Sequence, residues 1–408
     1  MDALTRRKFL IASGVVGGTA LAAGGAWTLH DILDTATWDD RPGDAGTLVL
    51  VTLYGGNDGL ANVIPYADKA YAPARPELAY KPDEVLKLDD ALGLNPGLAG
   101  LKRMFDAKKL AIVRGVGYPK PDHSHFRSMD IWQTAQPDRP GNTGWLGRWL
   151  DAFGGDPRHA VSFEPVLPPL LAGATTAGAA IPVSGLTLPN GVKPEVLTAF
   201  GKPSDGEPAL QARAARAFAD LVEVDALIHS VDEADGDEAG STSSGTATGG
   251  RSDLKTQLDL VARCVEAGVA TRVFSVSLGG FDLHAEERNS QEILLKLLDT
   301  ALTGFADRMA KSEAGRRVVV AVYSEFGRRV AANGSDGTDH GTASNMFILG
   351  SPVHGGLYGE QPSLADLDNG DLKFTTDFRS VYATLLRDVL DADPEKILGY
   401  KTQLEGIL

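Results

Sequence analysis

The sequence is poor in cysteine, in positive charge and in long apolar runs, and each shortage closes off a class of protein. Among 408 residues there is one cysteine, Cys264. No disulfide can form within the chain, and no multi-cysteine metal site can exist. Cys264 sits in a helical pattern, where a small buried apolar residue is its plainest role. Lys and Arg number 39 against 54 Asp and Glu, for a formal net charge of −15. That field repels nucleic acid and anionic membranes, and no basic cluster with interleaved aromatics offsets it. Nucleic acid is therefore excluded as a partner. Beyond the N-terminus no apolar run reaches spanning length, so no transmembrane helix is expected in the mature chain. No repeat of fixed period occurs. Hydrophobic residues at 43% and charged residues at 23% are ordinary for a chain that builds a large core.

The N-terminus carries an address. Thr5-Arg6-Arg7-Lys8-Phe9-Leu10 precedes an uncharged Gly/Ala-rich run from Ile11 to Leu29, the form of a twin-arginine export signal. Ala20-Leu21-Ala22 offers a small-x-small cleavage site. The run is long enough to span a bilayer, but its glycines and alanines make a poor anchor. The expectation is a signal over residues 1–29, recognised by the twin-arginine translocation machinery. The destination is periplasmic or extracellular, with an uncleaved signal acting as a tether the alternative.

Residues 46–408 read as a single α/β domain. Leu48 to Leu53, Leu110 to Val116, Val273 to Leu278, Val318 to Val322 and Met346 to Leu349 are apolar runs, the mark of strands buried on both faces. Shorter strands fit Val161 to Phe163 and Ile181 to Val183. Helices are expected over 97–107, 143–154, 208–229, 252–267, 290–309 and 376–390. The long one has apolar spacing at Ile293, Leu294, Leu297, Leu298, Leu302 and Phe305. Residues 66–96 are Pro-rich and read as a surface excursion. The acidic run 232–238 and its Gly/Ser/Thr tract form a linker-like loop over about 231–251. That run lacks the distal glutamate of an EF-hand. Strands alternating with helices predict a doubly wound, mainly parallel sheet with helices on both faces.

In such sheets ligands sit beyond the carboxyl ends of the strands, so the residues following each strand are the candidates. The first strand runs into Gly55-Gly56-Asn57-Asp58, and Gly279-Gly280-Phe281-Asp282-Leu283-His284 repeats the pattern. Glu325 follows Val318 to Ser324, and Asp339-His340 lie in the loop after it. Histidine with carboxylate is a mixed N/O donor set for zinc or a similar divalent ion, with calcium or manganese as alternatives. Asp282 and His284, two residues apart, face one side in extended backbone. With His340 they can hold one ion and leave a position open for water or an ester oxygen. Each residue also has a plainer reading. Asp282 can cap its turn, Glu325 can pair with Arg328 or Arg329, and His340 can bond a backbone carbonyl. Ser124, between His123 and His125, suits a helix N-cap and equally an activated nucleophile with His125 as its acid/base neighbour.

Seven segments in order, GGNDG (55–59), SHF (124–126), MDIWQT (129–134), TGWLGR (143–148), GGFDLH (279–284), YSEFGR (323–328) and GTDHGT (337–342), resemble the family called domain of unknown function 1501. The resemblance spans nearly the whole mature chain. It implies an alkaline-phosphatase-like fold within the alkaline phosphatase and sulfatase superfamily, with a two-metal site for phosphoryl or sulfuryl transfer. Asp282, His284 and His340 would take one metal. Asp58 would take the other, Ser124 would be the nucleophile, and the expected Asp-His pair appears as Glu325-Phe326. Phenylalanine cannot ligate, so the second site lacks a member.

The expectation is thus a metal-dependent hydrolase of phosphate or sulfate esters, with Ser124, His125 and Glu325 as catalytic groups. Asp58, Asp282, His284, Asp339 and His340 are the metal candidates. The alternative is an exported protein that binds a cell-envelope component and keeps the fold without the chemistry. A serine esterase ranks last, since no G-x-S-x-G elbow is present.

Overall fold

The computed structural model describes residues 29–37, 45–164, 166–181 and 253–408. Residues 1–28 of the expected export signal, the helix expected over 208–229 and the loop expected at 231–251 lie outside the described residues. Leu29 and Ile32, on a short helix Leu29–Leu33, are buried in the core. The folded body therefore reaches further toward the N-terminus than residue 46.

Among the described residues, nine strands build the main sheet: β1 Thr47–Leu53, β2 Leu110–Gly117, β3 Ala160–Ser162, β4 Ala179–Ala180, β5 Val273–Leu278, β6 Val318–Ser324, β7 Ser344–Gly350, β8 Gly356–Tyr358 and β9 Thr376–Asp377. Their order across the sheet is β8-β2-β7-β6-β1-β5-β3-β4, with β9 also beside β2. All pairings are parallel except those of β7, which runs against both β6 and β2. The fold is α/β with a mainly parallel sheet.

Alternation along each strand divides the apolar side chains between two cores. Val49 and Val51 of β1 join one core, and Leu48 and Leu50 the other. The first core is closed by helices α1 Ala99–Asp106, α4 Leu254–Ala267 and α5 Glu287–Met309. The second is closed by α2 His125–Thr134, α3 Trp145–Ala152 and α6 Phe378–Asp388. Burial on both faces is why these strands appear as unbroken apolar runs. On α5 the buried stripe is Leu295, Leu298, Leu302, Phe305 and Met309. Ile293 and Leu297, which the sequence pattern placed on the inner face, are more than half exposed.

Residues 66–96 are a packed unit rather than a surface excursion. Short strands Val63–Ile64, Leu86–Lys87 and Gly93–Leu94 form a small antiparallel sheet. Tyr71, Tyr80 and Val85 form a third core with Leu60, Val330 and Leu364. Chain reversal at β7 has a further effect. The parallel strands present their carboxyl ends at one edge, and an antiparallel strand presents its start there. The segment leading into β7, with the hairpin Arg328–Ala332 and Thr338–His340, thus meets the loops that follow β1, β2, β5 and β6.

Candidate metal centre

Asp282 stands at the middle of that edge, four residues beyond β5. The turn before it needs glycine on the facing loop, because a side chain on Gly55 would overlap the backbone of Phe281 and Asp282. Beneath it lies Arg328, which is fully buried. Its guanidinium donates to the Asp282 carboxylate oxygen Oδ1 at 2.8 Å. It also donates to the carbonyls of Gly55, Gly56 (2.6 Å), Phe281 (3.1 Å) and Thr338 (2.9 Å). One side chain thereby ties together three loops and fixes the carboxylate. Burial works against the Asp282 charge. The imidazoles of His125 and His340 and the Arg328 guanidinium beside it outweigh burial and hold the carboxyl far below the usual range.

Three imidazoles turn their Nε2 atoms toward this carboxylate. His340 Nε2 is 3.2 Å and His284 Nε2 2.9 Å from Oδ1, and the two nitrogens are 3.0 Å apart. His125 Nε2 lies 3.4 Å from Oδ2. Metal-ligating atoms of His125, Asp282 and His340 all fall within 4.8 Å of one another. His125 is about a quarter exposed, whereas His284 is 46% exposed at the rim.

The opposite ring nitrogens decide what these atoms can do. His340 Nδ1 donates to the carbonyl of His123 at 2.8 Å. His125 Nδ1 donates to Glu325 Oε1 at 2.8 Å. With the proton of each neutral ring on Nδ1, Nε2 carries a lone pair. His284 has the Asp339 carboxylate 3.6 Å from its Nδ1. His125 Nε2 is buried without a hydrogen-bond partner. Lone pairs and a carboxylate this close repel unless a proton or a cation lies among them. Burial alone lowers the pKa of His125, but the nearby Asp282 carboxylate and the bond to Glu325 outweigh it and hold its proton up to about 9. The donor set fits a divalent ion. The Asp282, His284 and His340 atoms form a triangle small enough for one ion about 2.0–2.2 Å from every corner.

The other candidates from the sequence are placed as follows. Glu325 is buried and its carboxylate is fully engaged. Oε1 accepts from Gly55 N at 3.0 Å as well as from His125, and Oε2 accepts from Ser324 Oγ at 2.9 Å. Its partner is His125, and Arg328 pairs with Asp282 instead. Ser124 holds the N-cap position of α2 in extended backbone, but its hydroxyl makes no capping bond. Asp339 is exposed and reaches only His284 and Asn333. Asp58 is brought to the same edge but turned away from the cluster. Its side chain is 2% exposed and forms a two-pronged ion pair with Arg75, itself 1% exposed. Phe326 lies buried against both His125 and His340, with ring centres 4.8 and 4.9 Å away. A side chain on Gly56 would overlap that ring, which is why the second glycine of the motif is needed.

The placement of His125 and the roles of Arg328 and Arg75 escape a reading of the sequence. His125 reads locally as a companion of Ser124, and only the sheet order brings it to Asp282. Arg328 reads as a partner for its neighbour Glu325. Arg75 sits in a Pro-rich segment with no motif at all. The one available signal was the histidine pair flanking Ser124.

A family model described as protein of unknown function, DUF1501, matches residues 112–404. No curated protein matches the sequence. Among solved structures, the chain is similar to a protein in the alkaline phosphatase superfamily from Vibrio parahaemolyticus, at 10% identity and a TM-score of 0.38, over 88% of this chain and 74% of that one. It is also similar to alkaline phosphatase from the Antarctic bacterium TAB5, at 12% identity and a TM-score of 0.34, over 77% and 94%. A third is BT1596, a 2-O GAG sulfatase, at 12% identity and a TM-score of 0.32, over 76% and 65%.

Proposed function

The chain belongs to the DUF1501 family of proteins of unknown function, and we propose that it is an exported, metal-dependent hydrolase of phosphate or sulfate esters. One observation carries the metal: the Nε2 atoms of His125, His284 and His340 converge on the Asp282 carboxylate, with the His125 atom buried and unpartnered. Asp282, His340 and His125 would hold the ion, and His284 at the rim could supply a further ligand. Three imidazoles and one carboxylate favour zinc, and manganese is next; calcium prefers an all-oxygen set. When bound, the ion polarises an ester oxygen and activates water or a hydroxyl.

The chain's own groups supply the rest. Arg328 fixes the carboxylate and Glu325 fixes the His125 ring, so both are positioning residues. The Ser124 hydroxyl, free of capping duty, sits between His123 and His125 at the start of α2. The dipole of that ten-residue helix favours an anionic substrate oxygen there. Ser124 is the nucleophile or a substrate contact. The ester class comes from the motif resemblance. Export rests on the twin arginines, and replacing Arg6 and Arg7 by lysine should leave the protein in the cytoplasm.

The test is the metal content of protein purified without chelator, followed by turnover of aryl phosphate and aryl sulfate esters. Bound metal with turnover of either ester supports the reading. Neither metal nor turnover ends it. Metal without turnover selects a second reading, a binding protein for an envelope component, which Phe326 favours by standing where the resemblance expects a ligand.

A further inference from the structure

The geometry points to a single-metal centre in which the fixed cation Arg75 answers the charge of Asp58, the carboxylate that the motif resemblance would give to a second ion. The inference rests on the metal reading above and concerns how many ions the edge accepts.

The argument begins with Asp58, where both carboxylate oxygens are taken. Oδ1 accepts from Arg75 Nη2 at 3.0 Å and from Leu60 N at 3.2 Å, and Oδ2 accepts from Arg75 Nη1. Arg75 is itself locked from the far side, donating to the carbonyls of Val330 at 2.9 Å and Arg329 at 2.8 Å. Those carbonyls belong to the strand that pairs with Thr338–His340, so the arginine is part of the same scaffold as the metal ligand His340. Glu287 is the third ionisable group in this pocket. It accepts from Thr338 Oγ1 at 2.6 Å. Asp58 and Arg75 already set one negative against one positive charge in a site closed to solvent. A divalent ion added there would sit beside a buried guanidinium, with the carboxylate it needs already paired, which is strongly unfavourable.

The other members of the expected second site are committed elsewhere. Glu325 uses both oxygens on Gly55, Ser324 and His125. Phe326 supplies a ring in place of a ligand and fills the space over Gly56. Among the described residues, one cluster of metal-ligating side chains converges, and it contains neither Asp58 nor Glu325.

The experiment is a metal count on the full chain, by elemental analysis after loading with Zn2+ or Mn2+ and by calorimetric titration of the metal-free protein. One ion per chain is expected, lost in His125→Ala and in Asp282→Asn. Two tightly held ions per chain overturn the inference and leave the hydrolase reading standing. No bound ion removes both. A second measurement uses Arg75→Ala. If Arg75 replaces an ion, this variant melts at a lower temperature, and millimolar Mn2+ or Mg2+ returns several degrees beyond the gain seen in the wild type. A variant that folds but ignores added cation overturns the role given to Arg75. If the variant does not fold, the wild-type count alone decides.

Discussion

Metal binding at this edge should expel a proton, and the size of the effect follows from His125. Its Nδ1 is bound to Glu325 and its Nε2 faces Asp282, so the metal-free ring keeps its proton up to about pH 9. An ion needs the Nε2 lone pair and must displace that proton. At pH 7 the ring is two units below its midpoint, and displacement costs about 2.7 kcal/mol, or about 100-fold in apparent affinity. Affinity should therefore climb by close to tenfold per pH unit from 7 to 9 and then level. Calorimetry in buffers of different ionisation enthalpy should report about one proton released per ion at pH 7. The same group governs the metal-free protein. Its folded pKa is raised above the unfolded value of 6.5, so the stability it adds is complete below pH 6.5 and lost as pH rises through about 9. Removing metal should then cost more thermal stability at pH 8.5 than at pH 6.5. An affinity that changes less than about threefold between pH 7 and 8, with no proton released, refutes the assignment of His125 as a ligand.

Three other outcomes are expected. Arg328→Lys keeps the charge but loses the fork that spans Asp282 and four carbonyls, so metal affinity should fall by about 10–100-fold, read by competition with a chromogenic chelator. His125→Ala should weaken metal binding more than His284→Ala. The first ring is oriented by a 2.8 Å bond to a buried carboxylate and the second is half-exposed with its carboxylate 3.6 Å away; equal losses count against a preorganised inner face. Glu287 has its carboxyl raised to about 8, so the folded state resists its ionisation and stability should decline between about pH 4.5 and 8. Glu287→Gln should flatten that decline. In urea unfolding the variant should gain stability relative to wild type as pH rises from 4.5 to 8.

The legible part of the fold was the part whose cause is local. Thr47–Leu53, Val273–Leu278 and Val318–Ser324 are mostly apolar because helices cover both sheet faces, and that burial shows in most of their residues. The reversal of β7 was not legible, since an apolar strand reads the same in either direction. Yet that reversal carries His340 to the edge where Asp282 lies. Asp282 and His284 were readable from their place after a strand and two glycines. The ligating face of His125 was not, because nothing in Ser-His-Phe says which distant loop it meets. Arg75 was hidden for a different reason. Its partner Asp58 is 17 residues away across a Pro-rich segment, and only the third core, packed on Tyr71 and Leu60, brings them together. Helix α5 was placed correctly in span but not in rotation, since a leucine-rich helix offers more than one plausible buried stripe.

Strand order also sets a clock on how the molecule comes into being. β1 is the first strand of the main sheet to be synthesised, yet its neighbours are β5 and β6. About 220 residues separate Leu53 from Val273; at about 5–20 residues per second a ribosome needs roughly 10–45 s to reach the first partner. Through that interval Leu48-Val49-Leu50-Val51 has apolar faces and open backbone edges with nothing in the sheet to cover them. The metal cluster waits longer still, because His340 is held in place by β7. The apolar faces of β1 therefore stay without sheet partners during most of synthesis, and the candidate metal cluster is complete only near its end.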